Sequence, residues 1–196
     1  GYTCDIEGDY LMDASYKIRD VPAAMKAYSR GCSLGFGTSC WSLAKIHFVA
    51  KDVPRDAAKG VELLNKACQA GNADECEELA GIHESGKAWG SAEGLTVNLD
   101  KAFASYKRAC LLDVDWCYKA ADKVLAMGKE KDAFAFADRG CDADDETACY
   151  TLGKLYDAGK GVAQDSAKAK ETYAKACKAG DGDEDACKKI GVKMKD

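Results

Sequence analysis

Apolar residues recur every three or four positions between residues 146 and 180, which is the period of an α-helix. In the first run they fall at Ala148, Leu152, Leu155 and Tyr156. Two glycines then interrupt the pattern, and Asp165 is placed to cap a second helix. The second run carries its apolar residues at Ala169, Tyr173 and Ala176. The pattern predicts two antiparallel helices, A and B, joined by a short turn.

The same two-helix unit returns along the whole chain. We predict A helices near 5–17, 38–50, 74–86, 115–127, 147–158 and 184–194. We predict B helices near 20–33, 56–69, 98–111, 131–141 and 165–178. The first cysteines of five phased pairs are spaced 36, 42, 31 and 36 residues apart. Such a period indicates a solenoid of stacked helix pairs. We therefore expect an all-α protein with a single domain over residues 1–196, in which 188–196 form a C-terminal cap.

Each junction between a B helix and the next A helix carries two cysteines around a turn, as in "GCSLGFGTSCW" (31–41). The predicted disulfides are Cys32–Cys40, Cys68–Cys76, Cys110–Cys117, Cys141–Cys149 and Cys177–Cys187. The alternatives are a metal site and free thiols. A zinc site prefers C-x2-C spacings, which do not occur, and the chain has two histidines. Disulfides are the favoured interpretation, and they indicate an oxidising compartment, either the periplasm or the exterior of the cell.

Cys4 is the eleventh cysteine, and it lies outside the five pairs. It precedes Cys32 by 28 residues, the same interval that separates Cys40 from Cys68. We interpret Cys4 as the second half of a pair whose first half lies upstream, with an accidental free thiol as the alternative.

Composition and charge narrow the classes of partner. The net charge is −5, and no basic face stands out, which argues against nucleic acid. No apolar run approaches the ~20 residues that a membrane helix needs. No cofactor is expected, and the expected oligomeric state is a monomer.

Two short motifs suggest chemistry. Ser42 and Lys45 form an S-x-x-K, the serine–lysine motif of penicillin-recognising enzymes, but the companion motifs S-x-N and K-T-G are absent. In "DGDED" (181–185), Asp181, Asp183 and Asp185 occupy the first, third and fifth positions of a calcium loop, but the glycine and glutamate expected later in that loop are missing. An exposed helix surface and a helix cap are the favoured interpretations.

His47 and His83 occupy equivalent positions, which Tyr156 fills in the fourth repeat. We interpret both histidines as half-buried residues between helices, rather than as ligands or bases. No metal site is predicted.

The A helices line the concave surface of a helical solenoid. Positions one, two and five after the second cysteine are predicted to lie opposite the apolar stripe. The candidate partner-binding residues, at positions one and five, are Trp41, Lys45, Glu77, Tyr118, Asp122, Tyr150 and Lys154. The alternative is that these aromatic side chains cover the disulfides. Trp89, in the inserted segment 88–94, is a second candidate contact, with local packing or disorder as its alternative.

The stretch "LGKLYDAGKGVAQDSAKAKETYAKACKAG" resembles the Sel1-like repeat, a relative of the tetratricopeptide repeat, through L-G-x-x-Y, a G-x-G-V turn and D-x-x-K-A. The cysteine pair at each junction is similar to the cysteine-rich bacterial branch of that family, of the Helicobacter cysteine-rich protein type. The resemblance implies a right-handed α/α solenoid and a non-enzymatic adaptor of the bacterial envelope or secreted space that binds a protein or peptide. The alternatives are a penicillin-binding protein with weak β-lactamase activity, a toxin-neutralising immunity protein and a mitochondrial intermembrane-space assembly factor.

Overall fold

The computed structural model describes residues 2–12, 20–49, 51, 53–89, 95–178 and 183–192, apart from the side chains of residues 2–5 and 10. The helices are α1 (Tyr2–Met12), α2 (Val21–Ser33), α3 (Gly37–Val49), α4 (Ala57–Gln69), α5 (Ala73–Ser85), α6 (Leu99–Leu112), α7 (Cys117–Ala126), α8 (Glu130–Asp142), α9 (Glu146–Ala158), α10 (Ser166–Lys178) and α11 (Glu184–Lys189). A 3₁₀ turn, Val114–Trp116, precedes α7. Odd-numbered helices are the predicted A helices, and even-numbered helices are the B helices.

The chain divides into two compact units, residues 1–105 and 106–196. In the first unit α1 packs on α2 and α3 on α4, and α3 also contacts α1 and α2. In the second unit α7 packs on α8 and α9 on α10, while α7 contacts α9, α8 contacts α10 and α11 packs on α10. Neighbouring hairpins thus contact each other through their A helices and through their B helices, as in an α/α solenoid. A single domain over 1–196 stays a prediction.

Most predicted helix boundaries agree with the structure to within one residue, and three differ by more. α1 begins at Tyr2 rather than residue 5, and residues 13–19 lie outside the described part of the chain. α7 begins at Cys117 rather than residue 115, because the 3₁₀ turn takes up the shorter C-x6-C junction. α11 ends at Lys189 rather than residue 194, since the backbone turns left-handed at Gly191 (φ +75°).

All five predicted cysteine pairs are bonded. In each pair the first cysteine lies at the end of a B helix, and the second lies near the start of the next A helix or at its first residue. Three residues after the first cysteine the backbone turns left-handed at Gly35 (φ +88°), at Gly71 (φ +103°) and also at Asp144 (φ +61°), where a non-glycine residue takes the glycine position. Gly180 and the side chain of Cys4 lie outside the described residues.

A backbone hydrogen bond closes each turn from an A helix to its B helix. The N–H donors and their carbonyl acceptors are Asp20 to Leu11, Asp56 to His47, Asn98 to His83, Lys129 to Val124 and Asp165 to Tyr156. Every acceptor lies seven residues after the equivalent cysteine position. Four of the donor residues also cap the B helix with a side-chain oxygen, and Lys129 does not. The acidic or amide residue before α2, α4, α6 and α10 therefore fixes both the turn and the helix start.

Replacing Asp165 tests this double role. Its Oδ1 accepts hydrogen bonds from the backbone N–H groups of Ala167 and Lys168, each at 3.0 Å. We expect Asp165→Ala to lower the free energy of unfolding by about 1–2 kcal/mol and Asp165→Asn by much less, measured by urea denaturation followed by circular dichroism. Asp142→Ala, at the exposed C-terminal end of α8, is the control. Equal stability of the Asp165→Ala and control proteins would contradict this role of the cap.

Candidate partner-binding site

The predicted binding residues lie on A helices in both units. Trp41 and Lys45 are on α3 and Glu77 is on α5, while Tyr118 and Asp122 are on α7 and Tyr150 and Lys154 are on α9. The structure brings two lysine–aromatic pairs together. The Lys45 Nζ atom lies 4.2 Å from the centroid of the Trp41 ring, and the Lys154 Nζ atom lies 4.6 Å from that of Tyr150. Both pairs are cation–π contacts across one helical turn.

Trp41 is the centre of an aromatic group in the first unit. Its Nε1–H donates a hydrogen bond to Glu78 Oε2 at 3.1 Å. Trp89 packs edge-to-face on Trp41 at 6.1 Å and on the buried Phe48 at 5.6 Å. We call Trp41, Lys45, Phe48, Glu78 and Trp89 the tryptophan cluster. The Trp41 side chain remains half-buried and is held on three sides, so it is a rigid, partly exposed aromatic surface.

A cavity of about 440 Å³ adjoins the tryptophan cluster. It is lined by Asp9, Met12, Tyr28, Trp41, Ser42, Lys45, Ile46, Val49 and Lys51. The Tyr28 hydroxyl donates a hydrogen bond to Asp9 Oδ1 at 2.7 Å, and its ring lies directly against Gly8, where a larger residue would overlap it. Apolar side chains thus form part of the wall, and the ammonium groups of Lys45 and Lys51 lie among the polar lining.

Glu78 is the most electrostatically unusual carboxyl group in this region. Burial raises the pKa of Glu78 to about 7, and the nearby charges of Glu75 and Glu77 also raise it. The Trp41 hydrogen bond and the Lys45 charge act in the opposite direction and are outweighed. Glu77, a predicted contact residue, thus acts on the site through its charge. The Trp41 hydrogen bond therefore joins a carboxyl group that changes its charge near neutral pH.

The second unit carries a smaller aromatic patch. The Tyr150 ring lies 5.7 Å from the ring of Tyr173, whose hydroxyl donates a hydrogen bond to Asp157 Oδ2 at 2.9 Å. Burial, followed by the charges of Asp185 and Asp183, raises the pKa of Tyr150. The predicted contact residue Asp122 accepts a hydrogen bond from the Thr151 hydroxyl at 3.2 Å, which joins α7 to α9. Asp122 thus has a packing role in addition to any role in binding.

Sequence reasoning missed several members of the site. Tyr28 and Met12 were not among the predicted contact residues, and neither was Glu78, although it occupies the second of the predicted outward positions. The proximity of these residues to Trp41 depends on how separate hairpins pack. Trp89 was a candidate partner contact, and the structure shows it packed locally on Trp41 and Phe48. No pattern within a short stretch of sequence predicts these contacts.

The motifs that suggested chemistry have structural explanations in the described residues. Ser42 and Lys45 line the same cavity, and the Lys45 ammonium forms a cation–π contact with the Trp41 ring. Asp183 caps α11 by accepting a hydrogen bond from the Ala186 N–H at 2.7 Å, and Asp181 lies outside the described residues. His47 and His83 are half-buried, as expected. Among the residues that the structure describes, no His, Cys, Asp and Glu group is arranged to hold a metal ion.

No helix within the described ranges has both the length and the apolar character to cross a membrane.

Comparison with known proteins identifies the repeat. Residues 38–72, 79–114 and 147–181 match the Sel1 repeat, and together they cover more than half of the chain. A search of curated proteins found no significant match.

Two solved structures, of an Oxalobacter protein and an Escherichia coli antigen, show the same fold. A Sel1 repeat protein from Oxalobacter formigenes is 18% identical over 91% of this chain and 73% of its own, with a TM-score of 0.64. A protective antigen of uropathogenic Escherichia coli is 22% identical over 88% of this chain, with a TM-score of 0.58. This chain spans 38% of that antigen. The cysteine-rich protein B of Helicobacter pylori is 26% identical over 84% of this chain and 90% of its own, with a TM-score of 0.31.

The Trp41–Glu78 contact should respond to pH. The pKa of Glu78 is higher in the folded protein than in the unfolded chain, so its contribution to stability is complete below about pH 4.5 and is lost as the pH rises through about 7. We expect tryptophan fluorescence of the folded protein to titrate with a midpoint near pH 7. The transition should disappear in Glu78→Gln and persist in Glu77→Gln, the matched neighbour. A transition that survives in Glu78→Gln would assign it to another group.

Proposed function

The chain belongs to the Sel1 repeat family, whose members are generally scaffolds for protein–protein interaction. We propose that it binds a partner protein or peptide through the outward faces of its A helices and catalyses no reaction. In the first unit the proposed surface is the tryptophan cluster with its adjoining cavity. In the second unit it is the patch of Tyr150 and Lys154, extended by Tyr118 and Asp122.

The observation that carries the proposal is that the Trp41 side chain is partly exposed and yet held in one position. A large aromatic side chain that stays half-exposed, yet is fixed by a hydrogen bond, a lysine and a second tryptophan, loses little conformational freedom when a partner covers it. Interface hot spots have this character, with a rigid tryptophan or tyrosine surrounded by polar groups. The neighbouring cavity of about 440 Å³ can receive one apolar side chain of the partner.

The second patch supports the proposal independently. Tyr150 is half-buried against Tyr173, and the exposed Lys154 lies over its ring. Tyr118 keeps 36% of its surface exposed, which is unusual for a large aromatic residue on a packed A helix.

The five disulfides favour an oxidising compartment, and we propose the periplasm or the secreted space. A toxin-neutralising immunity protein is a special case of the same proposal, in which the partner is a toxin. We propose a monomer as the binding species.

The binding surface can be tested with a random peptide library displayed on phage and selected on the disulfide-intact protein. We expect selected peptides to bind wild-type protein and to lose about tenfold or more in affinity with Trp41→Ala, while the melting temperature changes little, because the indole contributes mainly to contact. A fall of many degrees would show that Trp41 is packing. Tyr150→Ala is expected to weaken the peptides that engage the second patch.

Trp116→Ala is the matched control for the peptide experiment. Trp116 is also a half-buried tryptophan, with Lys119 Nζ 5.0 Å from its ring centroid, but it lies in the 3₁₀ turn outside both proposed surfaces. Its replacement should leave peptide affinity unchanged. Equal losses in Trp41→Ala and Trp116→Ala would contradict the proposed surface.

Penicillin binding is the enzymatic alternative, and Ser42 and Lys45 do line one cavity. We expect no covalent labelling by a fluorescent penicillin, because the companion motifs S-x-N and K-T-G are absent and the Lys45 side chain is engaged with the Trp41 ring. Labelling that is lost in Ser42→Ala would overturn this expectation and favour the enzyme.

A further inference from the structure

We propose that a second site, separate from the tryptophan cluster, binds a carboxylate group in a groove between α4 and the start of α6. Two adjoining cavities, of about 380 and 240 Å³, form this groove and share Ala58, Val61, His83 and Lys101. We call it the His83 groove. It belongs entirely to the first unit, and it does not depend on the function proposed above.

The longest of the connections between an A helix and its B helix contributes part of the groove lining. Asn98 lies 22 residues after Cys76, whereas Asp56 and Asp165 lie 16 residues after Cys40 and Cys149. Leu95, Thr96 and Asn98, at the end of this longer connection, line the smaller cavity. Part of the lining is apolar: Ala58 and Val61 from α4, Leu79 and Ile82 from α5, Leu95, and Ala104 from α6.

The polar lining favours an anion. The one carboxylate among the lining residues, that of Glu62, is already paired with the ammonium groups of Lys59 at 2.9 Å and Lys66 at 3.1 Å. Lys101 lines both cavities, and its positive charge acts on His83. Glu84 and Asp100, the acidic neighbours on α5 and α6, line neither cavity. The groove therefore pairs an ammonium with an imidazole and lacks an uncompensated negative charge.

Two features of the groove lower the pKa of His83. Burial, followed by the charge of Lys101, lowers the pKa of His83, so the imidazole is neutral at physiological pH. A carboxylate between the two groups would offset both effects: it would pair with the ammonium of Lys101 and stabilise protonated His83. Binding of the carboxylate would then be coupled to uptake of one proton by His83.

A carboxylate fits this lining better than a phosphate. A doubly charged phosphate is usually met by arginine or by several backbone N–H groups at a helix start. Here the start of α6 is already capped, because Asn98 Oδ1 accepts the hydrogen bond of the Lys101 N–H at 2.9 Å. One ammonium, one imidazole and an apolar wall suit a carboxylate attached to a short hydrocarbon chain, either a free dicarboxylic acid or a glutamate side chain of a peptide.

The two histidines make nuclear magnetic resonance a direct test. The probes are glutarate, the blocked tripeptide Leu-Glu-Leu and its neutral counterpart Leu-Gln-Leu, each titrated while the imidazole carbon–proton resonances are followed against pH. We expect glutarate or Leu-Glu-Leu to raise the pKa of His83 saturably and to leave His47 unchanged. A response to both glutarate and Leu-Glu-Leu would show that a carboxylate alone is sufficient for binding. A response to Leu-Glu-Leu alone would identify a peptide ligand.

Variants separate binding from general electrostatics. Lys101→Gln should raise the pKa of His83 without any probe, because it removes a nearby positive charge, and should weaken carboxylate binding about tenfold, or 1.4 kcal/mol. Lys26→Gln, an exposed lysine on α2, is the control and should change neither quantity. The proposal is overturned if no carboxylate probe shifts His83, if Leu-Gln-Leu shifts it equally, or if Lys101→Gln binds as tightly as wild-type protein.

Discussion

The disulfide at each junction is the constraint on which the rest of the structure depends. Small residues lie four positions after the second cysteine of successive pairs, at Ala44, Ala80, Ala121 and Gly153, and all are buried. They allow helices to approach closely but bury little apolar area. A disulfide that closes a loop of about nine residues contributes about 2.5 kcal/mol by chain-entropy reasoning. Five such disulfides compensate for the small apolar area that is buried between the helices.

The same link sets which side chains an A helix presents. Because the second cysteine is fixed near the helix start, the residue four positions later faces the seam, while the residues one and five positions later face outward. Trp41 with Lys45 and Tyr150 with Lys154 are the result, two cation–π pairs generated by one register. The same register places His47, His83 and Tyr156 where their carbonyls close the turns to the B helices.

Local signals predicted most of the fold, while contacts between hairpins escaped prediction. The helix period, the turn glycines and the cysteine phase are readable over a few residues, so the helices and the five disulfides were predicted and are confirmed. Asp144 shows a limit, since its left-handed backbone appears at a position where glycine would be expected. The cavity brings together Asp9 and Trp41, which are 32 positions apart in the sequence, and the hydrogen bond joins Trp41 to Glu78, 37 positions later. The residues of each pair belong to different hairpins, and no sequence motif spans such distances.

Peptide mapping by mass spectrometry without reduction tests the central role of the junction disulfides most directly. Protein isolated from its native compartment would be alkylated, digested and searched for cysteine-linked peptides. The account predicts links between Cys32 and Cys40 and between each later pair of junction cysteines, with none of these ten residues alkylated. Links between different junctions, ten alkylated thiols, or zinc bound in their place would contradict it.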